Sequence, residues 1–209
     1  MDVLLFDLDE TLYSRRLGVV PRIDRRINDY LRDRMGIAEA EVDSLRRRFW
    51  REHGTTLRGL MAAYDVDPMD YLEFIHEVDL SDLLGTDEDL GTLLRRLPGR
   101  KVIFTNGSRL HGSRVLELLG IGTAFERVFG LDDRAYVPKP EPAAYRAVLE
   151  ALGVEPAACC LIDDAPQNLP PAKALGMRTV WISESGERDG DADHVISTLA
   201  ELESLLTSP

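Results

Sequence analysis

The sequence predicts an α/β protein: a parallel sheet covered on both faces by helices, with a small helical domain let into the chain after the first strand. Three observations carry that expectation. Short β-type runs alternate with segments of helical periodicity along most of the chain. The stretch from Ser14 to about Gly85 holds no convincing strand pattern. Its roughly 70 residues are too many for an ordinary connection between a strand and the next helix. The reading places an α/β core in residues 1–13 and 86–209 and a helical cap domain in 14–85.

Val3-Leu4-Leu5-Phe6 is a continuous apolar run, as expected of a strand buried on both faces. Four helices follow, near Ile23–Met35, Ala38–His53, Thr56–Tyr64 and Pro68–Val78. Leu90, Leu93, Leu94 and Leu97 then recur at helical spacing before the strand Lys101-Val102-Ile103-Phe104-Thr105. Val115, Leu116, Leu118 and Leu119 mark the next helix, which Gly120 stops. Arg127-Val128-Phe129 is a short third strand. Pro142 suits the first turn of a helix carrying Tyr145, Val148, Leu149 and Leu152, and Gly153 suits its end. Strands over Ala158–Asp163 and Arg178–Ile182 follow. Beyond Ser183 the chain reads as a turn, a short strand around Val195 and a helix to Leu206. Pro170-Pro171 reads as an interruption of the helix after the fourth strand.

Composition excludes some functions. Of 209 residues, 37 are Asp or Glu and 25 are Lys or Arg, a formal charge of −12, which disfavours nucleic-acid backbones and anionic lipid. No apolar run approaches the roughly 18 residues of a spanning helix, and the acid-flanked start lacks the basic region of a secretory signal. Adjacent Cys159 and Cys160 read as reduced core residues, so a cytoplasmic location is expected, as a monomer or homodimer. Charge is unevenly spread. Residues 15–60 hold 12 arginines against seven acids, whereas residues 65–91 hold 10 acids and no Lys or Arg. These are solvated helix faces, or else some of the arginines line a site for an anion. His53, His76, His111 and His194 lack ligand spacing and read as surface or cap residues, and Trp50 and Trp181 as packing.

Ligands of open parallel sheets bind beyond the carboxyl ends of the strands. The first strand delivers Asp7-Leu8-Asp9-Glu10-Thr11 there. Two carboxylates one residue apart can divide metal binding from acid–base work. The second delivers Thr105-Asn106-Gly107-Ser108, a hydroxyl followed by backbone amides suited to an oxyanion. Prolines on both sides of Lys139 hold that chain extended, and the fourth strand ends in Asp163-Asp164. Taken singly these are turns, caps and a solvated lysine; together they suit magnesium-assisted phosphoryl transfer.

Phe6-Asp7-Leu8-Asp9-Glu10-Thr11-Leu12-Tyr13, Phe104-Thr105-Asn106-Gly107, Lys139-Pro140 and Leu161-Ile162-Asp163-Asp164-Ala165 resemble, in order and spacing, the motifs of the haloacid dehalogenase superfamily of phosphohydrolases. The resemblance covers nearly the whole chain. It implies a Rossmann-like sheet with a helical cap, Asp7 as a nucleophile forming an aspartyl-phosphate, and Asp9 as general acid and then base. Asp9 would therefore enter protonated, its pKa raised by apolar walls or nearby acids. By the same resemblance Thr105 and the amides of Asn106 and Gly107 hold phosphate oxygens, and Lys139 neutralises charge. Magnesium takes Asp7, the carbonyl of Asp9, Asp164, and Asp163 directly or through water. Asn168 stands where many relatives have an acid that orients Lys139.

Within the cap segment, Gly54-Thr55-Thr56-Leu57-Arg58-Gly59-Leu60 is similar to a signature of the pyrimidine 5′-nucleotidase subgroup. That likeness implies a nucleoside 5′-monophosphate, with Thr55, Thr56 and Arg58 turned to its base or sugar. The residues alone also fit a helix break at Gly54 with a threonine cap after it. The alternatives are a phosphatase of phosphoglycolate, a sugar phosphate or another small metabolite, a phosphomutase, and a non-enzymatic phospho-accepting switch. A dehalogenase needs no acid–base group at Asp9.

Overall fold

The computed structural model describes residues 1–187 and 191–207; residues 188–190 and 208–209 of the expected core segment lie outside them. The described strands are β1 (Val3–Phe6), β2 (Arg100–Phe104), β3 (Arg127–Phe129), β4 (Cys159–Asp163), β5 (Arg178–Ile182) and β6 (His194–Ile196). They form one parallel sheet in the order β3-β2-β1-β4-β5-β6. This is the Rossmann-like α/β architecture that the sequence predicts. The chain builds outward from β1 in one direction, then returns to build outward from β4 in the other. The carboxyl ends of β1 and β4 therefore flank the switch point, where a crevice opens.

Alternation along each strand divides the core in two. Val3, Leu5, Val102, Phe104, Cys159 and Leu161 face one side of the sheet. Leu4, Phe6, Ile103, Cys160, Ile162 and Val180 face the other. Burial on both faces explains why the strands read as unbroken apolar runs. The adjacent cysteines thus point to opposite layers and are unbonded, and burial pushes their thiols up to about 11 and about 12.

Between β1 and β2 lie α1 (Val19–Asp29), α2 (Glu39–His53), α3 (Thr56–Ala63), α4 (Pro68–His76) and α5 (Glu88–Arg96). α1 continues into a π-helical turn over Tyr30–Arg34, closed by Met35 N–H on the carbonyl of Tyr30. Periodicity does not reveal that change of winding. Caps explain the starts: Asp67 accepts from Met69 N–H ahead of Pro68, and Asp87 from Leu90 N–H. The two charge blocks meet across this segment. Arg22 pairs with Asp82, Arg26 reaches the carbonyl of Phe74, and Tyr30 donates to Asp70. The Tyr30 ring packs edge-on against Tyr71 and Phe74.

The remaining helices are α6 (Arg109–Leu118), α7 (Pro142–Leu152), α8 (Leu169–Ala174) and α9 (Glu201–Thr207). Pro170 and Pro171 start α8 rather than interrupt it. They occupy its first turn, where a backbone N–H has no intrahelical partner to lose.

Candidate active site

β1 hands Asp7 to the crevice. Its N–H still pairs with the carbonyl of Ile162, extending the ladder one residue past the strand. A tight turn follows, with Leu12 N–H on the carbonyl of Leu8 and Glu10 in the left-handed region at φ +63°. The turn sends Asp7 and Asp9 into different surroundings. Lys139, 1% exposed, bridges Asp7 Oδ1 at 2.7 Å and Asp163 Oδ2 at 2.6 Å. Its position is fixed by Asn106, whose side chain accepts from Lys139 N–H at 2.8 Å and donates to the Lys139 carbonyl at 2.9 Å. Asn168 donates to both oxygens of Asp163, so it orients that carboxylate rather than Lys139. The Thr105 hydroxyl accepts from Gly107 N–H at 2.9 Å. Asp164 accepts from Thr11, and its carbonyl from the Trp181 indole.

Electrostatics separate the carboxylates. Burial, reinforced by Asp163 and Asp164, holds Asp7 well above the usual range despite Lys139. Burial and Asp163 push Asp164 up to about 6. Burial opposes the charge on Lys139, but Asp163 and Asp7 outweigh it and raise its pKa. Three carboxylates therefore share one cation. Asp7, Asp163 and Asp164 offer oxygens within 4.8 Å of one another, a hard all-oxygen set that fits magnesium. Both Asp163 oxygens already accept hydrogen bonds, which leaves Asp7 and Asp164 the freer donors.

Asp9 departs from the expectation of a raised pKa. Burial pushes it up, but His111 and the hydrogen bonds from His111 and Tyr13 outweigh burial and hold it below the usual range. His111 is buried in α6, not on the surface, with Nε2 2.8 Å from Asp9 Oδ1. Spacing in sequence gives no sign of this contact, because 102 positions separate the partners. Arg134 also escapes sequence reasoning. Buried, it donates to the carbonyls of Thr105, Gly130 and Val137, tying the Thr105 turn to the approach to Lys139.

The helical segment and the strand ends enclose a cleft of about 860 Å³. Asp7, Asp9, Thr105, Lys139 and Asp164 form its floor, and Ile23, Ile27, Leu57, Leu72 and Ile75 an apolar wall. Arg46, Arg47, Arg51 and Trp50 of α2 line it too. Arg46 is committed to Asp24 and Asn28. Trp50 is 59% exposed, so it is not a packing residue.

Thr55 and Thr56 line the cleft; Arg58 does not. Arg58 follows Leu57 by one helical position, about 100° around the axis, and its N–H is capped by the Thr55 hydroxyl. The rest of the signature is accounted for by packing. Gly54 takes φ +79° against Pro138, Thr56 is buried, and Leu57 and Leu60 are core. A Cβ on Gly59 would stand 2.2 Å from the Phe49 ring.

A sheet of this order, with acids and a buried lysine at its switch point beneath a helical insertion, defines a haloacid dehalogenase-like protein. Residues 1–176 match the haloacid dehalogenase-like hydrolase family, and the chain belongs to it. It is 26% identical over 190 residues to Phosphate metabolism protein 8 of Saccharomyces cerevisiae, an alignment covering 84% of this chain and 59% of that one. Phosphoglycolate phosphatase of Rhodospirillum rubrum is 27% identical over 89% of this chain and 81% of its own. The crystal structure of an HAD phosphatase from Thermococcus onnurineus superposes with a TM-score of 0.69 at 26% identity, covering 99% of this chain and 98% of that one. Among the described residues no helix is long and apolar enough to cross a membrane.

Proposed function

We propose that the protein is a magnesium-dependent phosphomonoesterase acting through an aspartyl-phosphate on Asp7. The observation that carries this reading is Lys139 held between Asp7 and Asp163 at the switch point, which leaves Asp7 Oδ2 without a hydrogen bond among the described residues. Asp7 attacks phosphorus as the ester P–O bond breaks, and Lys139 and the Thr105–Gly107 turn take up phosphoryl charge. Asp9 gives a proton to the departing alkoxide, then takes one from the water that cleaves the intermediate. His111 and Tyr13 favour its charged form, and the approaching phosphate's negative charge favours its protonation. Asp7, Asp164 and the Asp9 carbonyl would hold magnesium, which would supply charge neutralisation. The helical segment acts as the cap that closes this centre from water.

For the substrate we propose a nucleoside 5′-monophosphate, pyrimidine preferred. The cleft volume, its polar floor and apolar wall, and exposed Trp50 at its edge support a planar group beyond the phosphate. The alignment with a phosphoglycolate phosphatase favours a second reading, a smaller phosphorylated metabolite. Phosphate release from UMP, CMP, AMP, phosphoglycolate and glucose 6-phosphate, with magnesium or chelator, separates the two. Turnover led by UMP and CMP and abolished by Asp7→Asn is expected. Turnover led by a non-nucleotide keeps the chemistry and overturns the nucleotide.

A further inference from the structure

Asp9 is held from two sides at one oxygen. The Tyr13 hydroxyl donates to Oδ1, and His111 Nε2 donates to the same atom. Oδ2 has no hydrogen-bond partner among the described residues and faces the Thr105–Gly107 turn. A Cβ on Gly107 would stand 3.7 Å from Oδ2 and 3.0 Å from His111 Cδ2. A carboxylate turns freely about its last bond unless one oxygen is pinned. Pinning Oδ1 aims Oδ2 at the place where the phosphoryl group is transferred.

His111 is itself fixed by the helical segment. Its ring lies parallel to that of His76, with centroids 4.4 Å apart and an interplanar angle of 12°. His76 is the last residue of α4 and 5% exposed. Its Nδ1 lies 3.0 Å from Ser108 Oγ, which also accepts from His111 N–H. Arg114 of α6 donates to the His76 carbonyl at 3.2 Å. Packing alone would need no ring nitrogen directed at a carboxylate.

We propose that His111 is a positioning residue for Asp9, held in turn by His76, so that the acid–base carboxylate is aimed only when the helical segment is seated on the core. This rests on the role given to Asp9 under the proposed function. Asp9 Oδ2 delivers its proton to the leaving oxygen as the O–P bond to Asp7 forms. Loss of aim therefore slows transfer to Asp7 from a leaving group that needs the proton and spares transfer from one that does not, while hydrolysis of the aspartyl-phosphate slows alike for both.

The test compares p-nitrophenyl phosphate, whose leaving group departs as a stable anion, with the alkyl phosphate of the panel that turns over fastest. In His111→Ala, kcat on the alkyl ester is expected to fall on the order of 10²-fold with KM little changed. The pre-steady-state burst of p-nitrophenolate keeps its rate. His111→Gln, which retains an N–H donor, recovers part of the alkyl-ester rate, and His76→Ala shows the same selectivity more weakly. His111→Phe keeps a stacked ring without the donor and carries the test if His111→Ala does not fold. Equal losses with both esters in the pre-steady-state transfer step, full alkyl-ester activity in His111→Ala and His111→Phe, or no recovery in His111→Gln overturn the positioning role and leave the phosphatase reading intact. A wild-type protein without Asp7-dependent turnover overturns both.

Discussion

The floor and the wall of the cleft are built on opposite principles. The floor is a set of buried charges that hold one another: Lys139 needs Asp7 and Asp163, Asp163 needs Asn168, and Asp164 needs Thr11. The wall is shape. Leu57, Leu72 and Ile75 fill it, and Gly59 lets α3 settle on Phe49. Charges at the floor specify one chemistry, whereas a wall of apolar side chains admits many shapes of leaving group. The same difference separates what the chain declares about its reaction from what it declares about its substrate.

Breaking the floor should cost most. Lys139→Met leaves two buried carboxylates facing each other without their cation, and the expected loss is about 3–5 kcal/mol of stability, read by chemical denaturation. A loss no larger than that of a surface lysine would show that the carboxylates are relieved by other means. Gly59→Ala attacks the wall instead. Its new methyl must displace Phe49, at a cost of about 1–3 kcal/mol, with the alkyl-ester to aryl-ester rate ratio unchanged. A changed ratio would mean that wall and floor are coupled.

The smallest effect sharpens the contrast through pH. Asp164 titrates near 6 in the fold against its ordinary value of 3.8. Between those values the folded state binds the extra proton, so this group's contribution to stability is lost as pH rises, by at most about 1.4 kcal/mol per unit. Magnesium needs the ionised acids. The rise in Tm on adding magnesium should therefore be larger at pH 7.5 than at pH 5. An equal rise at both would remove Asp164 from the metal's ligands.

Much of this was legible from residue order. Short unbroken apolar runs mark the strands and period-3.6 patterns the helices, to within a residue or two in most cases, because each strand is buried on both faces and each helix on one. Asp7, Thr105 and Asp163 stand at or just past the carboxyl ends of parallel strands, which share one edge of the sheet, whereas Lys139 is marked only by the prolines on both sides of it. His111 and His76 could not be assigned to Asp9, because one partner is 102 positions away and the other depends on how α4 sits on α6. Tyr13, by contrast, is only four residues on, in a turn whose shape the sequence does not declare. Arg58 is outside the residues that line the cleft, and order alone does not decide its facing. Its motif reads alike whether the side chain faces the cleft or leans away, and only packing decides.

The sheet order has a consequence for how this molecule comes into being. β1 is finished by residue 6, but its two neighbours are β2 and β4, made some hundred and more residues later. Pairings of such long sequence separation close slowly, while α1–α4 can pack on one another as they emerge. Asp7 is thus made well before the strands that fix its place. The cluster of Asp7, Lys139, Asp163 and Asp164 is absent from every nascent chain that stops short of β4.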